Sequence, residues 1–421
     1  MDGKGRSLTF QKNKMNNKPL FSIFFVVLID MLGFSLILPL LPYYADAFGS
    51  NSLVTGLLIA SYALAQLIGS PLLGRFSDRF GRRPILLISI FGTFIGFILL
   101  GVANSLWILF AARILDGLTG GNISVAQAYI SDVTDASNRS KGLGLIGAAF
   151  GLGFIIGPVT GGFLSQWGYQ LPAWFAAGFS LVNLALIYFW LPESLPAEAR
   201  EGRDAKRPAV TLSALFTALM RPFIGALLTS RFVFGVAFAI FQTLFSLYAL
   251  QKFELQAVQT GYILTYVGVL SVITQGFVVG RLVKAFREDL LILVSVVVMA
   301  ASMLLWAFTS SIPMLLAIMA PLSLAGGTLN TLLSSTLSKA VNPTEIGGML
   351  GLSVSVESST RVIAPIIGAW LLEQYGTSAP GIFGGVLLIG LAVFAYAKIF
   401  RHPLALDLNK STNVAPPVVE A

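Results

Sequence analysis

The segment GRFSDRFGRRP, Gly74–Pro84, decides how the rest of the chain is read. It crowds Arg75, Arg79, Arg82 and Arg83 around one carboxylate, Asp78, and lies between two apolar stretches, 53–73 and 84–103. Each stretch is long enough to cross a bilayer. A short turn rich in Lys and Arg between two crossings stays on the cytoplasmic side, because moving those charges through hydrocarbon is costly. One basic turn therefore orients every other segment.

A crossing takes about 20 mostly apolar residues. Twelve such stretches follow one another: 20–43, 53–73, 84–103, 106–130, 143–165, 171–191, 222–248, 259–282, 289–309, 312–335, 347–372 and 380–400, here called spans 1 to 12. An even number returns the C-terminus to the side of the N-terminus. The charges agree, since all but four of the 27 Lys and Arg fall in the termini, in the turns after spans 2, 4, 6, 8 and 10, or, as Arg281 and Lys398, in the last residues of a span on that same side. Arg113, Arg231 and Arg361 lie inside spans, and Lys252 alone falls on the opposite side. The basic start of the chain leads into an apolar stretch too long for a signal peptide and without a small-residue cleavage pattern, so it reads as an uncleaved first span.

The expected fold class is an all-α integral membrane protein of twelve transmembrane helices in two pseudo-symmetric six-helix bundles. The boundaries are a cytoplasmic N-terminal segment (1–19), a first bundle (20–192), a cytoplasmic linker of mixed charge with several prolines (193–221), a second bundle (222–400) and a cytoplasmic tail (401–421). Both termini are placed in the cytoplasm, in a multi-pass protein of the cytoplasmic (inner) membrane.

Composition narrows the function. The 421 residues are 56% hydrophobic and 11% charged, with a mean hydropathy of +0.82, outside the range of soluble domains. The net charge of +8 sits in turns, where orientation requires it, so it does not argue for nucleic acid. There is no cysteine and a single histidine, His402, which removes thiol chemistry and Cys/His metal sites. No enzyme activity and no cofactor is expected.

The two halves repeat. Gly74-Arg75 recurs as Gly280-Arg281, and Pro158 and Gly161 recur as Pro365 and Gly368, at offsets of 206 and 207, with Lys284 standing where Asp78 stands in the first copy. Such repeats place a binding site at the midplane between halves that rock against each other. The Gly74, Asp78 and Gly81 spacing with Arg79, Arg82 and Arg83 between spans 2 and 3 resembles the signature loop of the major facilitator superfamily. That resemblance implies a cytoplasmic latch in which Asp78 and Arg82 join Asp132, in the YISDVTDASNR stretch ending span 4, with Asp78 also near the start of span 11. Span 5 carries Gly144, Gly153, Gly157, Pro158, Gly161 and Gly162. Glycines of this kind let helices approach closely, and their spacing resembles the motif that marks proton-coupled antiporters in that superfamily.

Charges inside spans are expensive and are candidate sites by default. Asp30 lies about 15 Å into span 1, near the midplane, in DMLGFSLILPLLP, which resembles span 1 of the tetracycline/proton antiporters. Arg113 in RILDGLTGG resembles the superfamily's span 4 motif, implying a role in proton coupling, and Asp116 replaces its usual glutamine. Glu357 and Arg361 are spaced i,i+4 on span 11, a pair that either neutralises itself as structure or serves the site. Arg231 in span 7 either faces the cavity or snorkels toward the cytoplasm. Gln66, Asn122, Gln127, Gln242, Gln275 and Asn330 either line a polar cavity or bond between helices.

The resemblance extends to the LPES ending of span 6 and implies an antiporter, working as a monomer, that exports small amphipathic compounds, tetracycline-like or other drugs, against the proton gradient. The tetracycline pumps carry further acids within spans 3 and 9 and a histidine in span 8; here spans 3 and 9 have no internal acid and span 8 no histidine. The competing readings are a proton-coupled symporter for a sugar or organic acid, and a transporter-like sensor.

Overall fold

The computed structural model describes residues 17–135, 138–195, 212–342 and 345–401. Most of the expected N-terminal segment, the middle of the linker and nearly all of the tail lie outside the described residues.

Every described element is helical, and eleven helices are long and apolar enough to cross a membrane. The one expected crossing that is not a single long helix is span 4. It consists of Leu106–Thr119 and Asn122–Val133, separated by Gly120 and Gly121. The break frees backbone carbonyls inside the bundle, where they must be satisfied by protein. Gln66 Nε2 donates to the Gly120 carbonyl at 2.9 Å, and the Ser89 hydroxyl donates to the Thr119 carbonyl.

The most consequential difference from expectation is at the basic turn. Span 2 is the helix Ser52–Phe80 and span 3 is Arg82–Gly101, so the expected loop is almost entirely helix. Gly81 alone turns the chain, at φ 105°, a conformation that other residues adopt only with strain. Span 1, Asn17–Ile37, is likewise continued at Pro39 and Pro42 by short helical turns reaching Asp46. Among its described residues the linker includes the helix Leu212–Met220, an element the sequence reading did not assign. Arg221 follows it and donates to both carboxylate oxygens of Glu345, at 3.1 and 2.9 Å; these bonds hold the Glu345 carboxyl below its usual range.

The first and last six spans meet only over part of their length. Spans 5 (Arg139–Leu164) and 8 (Ala257–Ile273, continued to Ala285) touch through backbone. Gly162 faces the Ala257 carbonyl, Gly261 faces the Pro158 carbonyl and Gly268 faces the Phe154 carbonyl. The symmetry-related contact joins span 2 to span 11 (Ile346–Tyr375), where Gly56 faces the Pro365 carbonyl. The repeated prolines thus each present a carbonyl to a glycine of the other half. The same end is fastened by the Tyr43 and Thr260 hydroxyls at 2.5 Å and by the Ser52 amide donating to Glu373 at 2.8 Å.

Toward the basic turns the spans part. Gly144 and Gly147 of span 5, Gly276 and Gly280 of span 8, Gly74 of span 2, and Gly347 and Gly348 of span 11 have open space where a Cβ would stand. The space between the halves is closed at the far end and open at the basic end.

Candidate functional site

At the basic end Arg82 is 1% exposed and gathers three partners. Its guanidinium pairs with Asp78 at 2.7 Å and Asp132 at 2.9 Å and donates to the Ser77 hydroxyl at 2.6 Å. The Asp78–Arg82 pair closes across the turn at Gly81, from the last turn of span 2 to the first residue of span 3. The sequence assigned no role to Glu193. Its carboxylate accepts from the Arg82 and Arg83 amides at 2.9 and 3.2 Å, capping the exposed N–H groups that begin span 3. Arg83 reaches the Ile187 and Tyr188 carbonyls, and Arg79 lies over the Phe80 ring at 5.3 Å, away from the cluster. At the corresponding place in the second half the signs are reversed: Lys339 pairs with Glu288 at 2.6 Å.

Arg82→Ala leaves the buried Asp78 and the part-buried Asp132 without their shared cation. It is expected to cost about 3–5 kcal/mol, the range for breaking a buried pair. Asp132→Ala should cost less, and the double variant little more than Arg82→Ala alone, because the groups act as one network. Thermal unfolding of the purified variants reads this directly; additive losses would show independent groups. Glu193→Ala is expected to lose about 1 kcal/mol, the scale of a helix cap, and unchanged unfolding would remove that role.

At mid-depth, Arg113 and Asp116 are both buried and joined at 2.7 Å. The Arg113 guanidinium lies 4.1 Å from the centre of the Tyr62 ring, and Thr93 lines the same cavity as Asp116. Gly117 faces the Tyr62 carbonyl of span 2, and Gly96 places span 3 against Asp116, so small residues bring three helices around the pair. Asp30 stands beside it and accepts from Asn122 Nδ2 at 2.5 Å. Asn122 is the first residue of the half-helix after the span 4 break, so the break presents a helix start to Asp30. Among the described residues Asn122 is the only hydrogen-bond partner of the Asp30 carboxylate. Asp30, Tyr62, Asp116 and Asn122 line one small cavity with Phe34 and Phe97.

The structure brings Asp30 of span 1 beside Arg113 and Asp116 of span 4, with Tyr62 and Thr93 as neighbours that the sequence reading passed over. Tyr62 had a signal, since it precedes Gln66 by four residues on span 2 and receives that amide at 3.0 Å. Thr93 had none beyond lying between Gly92 and Gly96.

In the second half, Arg231 does not snorkel. It turns inward, donates to the Asn330 carbonyl at 3.0 Å and pairs with Glu357 at 2.5 Å. Arg361 pairs with the other Glu357 oxygen at 2.9 Å. The expected i,i+4 couple is therefore a triad of two cations and one carboxylate. Gln66 spends its amide on the span 4 break. Gln127, Gln242, Gln275 and Asn330 are exposed, and Gln275 lies in a π-turn of span 8 against Gly327.

On span 5, Gly153, Gly157 and Gly161 face Met31, Ser35 and Leu36 of span 1, and Pro158 and Gly162 face span 8. Ser35 fixes the first contact by donating to the Gly153 carbonyl at 2.8 Å. Gly144, grouped with these by its spacing, meets nothing, because it lies where the halves have parted.

A sequence model described as Major Facilitator Superfamily matches residues 23–292 and 272–419. The chain is 32% identical over 388 residues to the class H tetracycline resistance protein of Pasteurella multocida, covering 90% of this chain and 96% of that protein. It is 33% identical over 377 residues to solute carrier family 22 member 18 of Mus musculus, covering 87% and 91%. It superposes on the crystal structure of a human organic anion transporter with a TM-score of 0.68 and 25% identity, over 90% of this chain and 99% of that one.

Proposed function

The chain belongs to the Major Facilitator Superfamily, and on that premise we propose that it is a proton-coupled antiporter exporting small amphipathic compounds across the cytoplasmic membrane. It is a multi-pass membrane transporter rather than an enzyme. In the proposed orientation the basic end and both termini are cytoplasmic, and the open space between the halves receives substrate from the cytoplasm. The similarity to tetracycline resistance proteins supports export as the direction.

One observation carries the coupling. Asp30 and Asp116 are neighbours at mid-depth, but they differ in what a proton would cost. Protonating Asp116 leaves Arg113 buried without its counter-charge, which is expensive. Protonating Asp30 breaks no ion pair, since its hydrogen-bond partner is the neutral Asn122 amide. Asp30 is the proposed proton carrier, and Arg113 and Asp116 fix the field in which it works. Proton binding from the outer side releases substrate, and proton loss toward the cytoplasm restores the site. The Asp78, Arg82 and Asp132 cluster keeps the basic ends of spans 2, 3 and 4 rigid as the halves rock, and is proposed to latch the cytoplasmic side when it closes.

The test is a susceptibility panel in a host lacking its own efflux pumps. Expression is expected to raise resistance to one or more amphipathic drugs and to lower their cellular accumulation. Increased accumulation of a compound would instead mark an importer.

A further inference from the structure

At mid-depth the two halves carry opposite surplus charge. In the first half, Asp30 borders a small cavity lined by first-half residues, and the buried Arg113–Asp116 pair stands beside it, so two carboxylates accompany one cation. In the second half, Arg231 and Arg361 share the single carboxylate Glu357. With Asp30 ionised neither set is balanced within itself, and unbalanced charge at mid-depth of a membrane protein is expensive unless a proton, ligand or partner meets it.

Arg361 is placed to meet a ligand. Residues 357, 361, 365 and 369 recur every four positions and share one face of span 11. Pro365 and Ala369 on that face press against Gly56 of span 2. Arg361 therefore lies one turn, about 5.4 Å, inside the far-end seal, on the same face. Its side chain is 53% exposed and makes one ion pair, which leaves most of its donors unspent. On the facing half, Tyr62 lines the small cavity that also holds Asp30 and Asp116. Arg231 is the rear of the positive pole, with a buried Nε that no group accepts among the described residues.

We propose that the transported compounds are amphipathic zwitterions, with an acid group held by the Arg361 guanidinium and a protonated amine or other cationic group directed at Asp30. A guanidinium matches a planar acid group through paired hydrogen bonds. The cationic group competes with a proton for Asp30, which is the competition that antiport requires. The inference rests on the export reading for its place in the cycle, but it predicts charge recognition at equilibrium whether or not protons move.

Three xanthene dyes of one ring system separate the cases: rhodamine B is a zwitterion, its ethyl ester a cation and fluorescein an anion. Binding is measured by fluorescence polarisation to the full chain in lipid nanodiscs with no pH gradient. The expected result is rhodamine B bound at least about tenfold more tightly than either relative, the effect of one charge-assisted contact. Arg361→Gln should abolish the preference over the ester and Arg361→Lys should keep part of it, while Asp30→Asn should abolish the preference over fluorescein. Equal binding of rhodamine B and its ester, an unchanged ratio in Arg361→Gln, or no saturable binding of rhodamine B overturns the proposal. A preserved preference with no proton movement in transport assays would instead overturn the export reading and leave this one standing.

Discussion

Gly157→Leu is expected to abolish transport and to reduce sharply the folded protein recovered from membranes. A Cβ at this position would stand 2.8 Å from the Ser35 backbone carbonyl carbon, with the Ser35 hydroxyl nearer still. Ser35 has no room to yield, because its hydroxyl is tied to the Met31 carbonyl at 2.6 Å and the Gly153 carbonyl at 2.8 Å. A leucine must therefore push span 1 off span 5. Overpacking of side chains alone costs about 1–3 kcal/mol, and here the obstruction is backbone. Displacing span 1 also displaces Asp30. Leu152→Ile is the control on the same helix: Leu152 is exposed, and the change keeps volume, so transport and yield should match the parent. Wild-type transport by Gly157→Leu would show that the close approach is dispensable.

Asp30→Asn is expected to eliminate proton-driven export while the protein folds normally and still binds substrate. The amide keeps the shape of the carboxylate and can bond Asn122, but it cannot exchange a proton. Substrate exchange down a gradient should persist and lose its dependence on pH. Asp116→Asn should behave differently, since it strips Arg113 of its buried counter-charge; a loss of about 3–5 kcal/mol of stability is the scale for such a break. The pair of variants separates a proton carrier from a structural partner. Uphill export by Asp30→Asn with the parent's pH dependence would move the role to Asp116 or Glu357.

Much of the architecture was legible because a bilayer makes crossings long, apolar and bounded by charge. Three features escaped that logic, each for a physical reason. The basic turn reads as a loop because arginines mark a membrane boundary, yet a helix continues past that boundary until a residue that tolerates positive φ appears, which is Gly81. Span 4 reads as continuous because Gly120 and Gly121 are apolar, whereas side chains of Gln66 and Ser89 from neighbouring helices satisfy the interrupted backbone. Arg231 was ambiguous because the distance from span 7 to Glu357 on span 11 has no trace in local sequence. The residues of the mid-depth cluster were visible individually, since charges inside spans are rare. Their allocation was not: that Asp116 belongs to Arg113 while Asp30 is left with a neutral amide emerges only when spans 1 and 4 are packed.

The central claim is that substrate and proton move in opposite directions through one site. It is tested most directly in proteoliposomes of the purified chain, with a pH-sensitive dye inside and no initial pH gradient. A compound identified by the susceptibility panel is added outside, and the internal pH is followed as it enters. Antiport predicts that the interior becomes alkaline as protons leave against the incoming compound, and that Asp30→Asn shows no such change. Acidification of the interior, which marks movement in the same direction, or substrate entry with no pH change in the parent protein, would contradict the account.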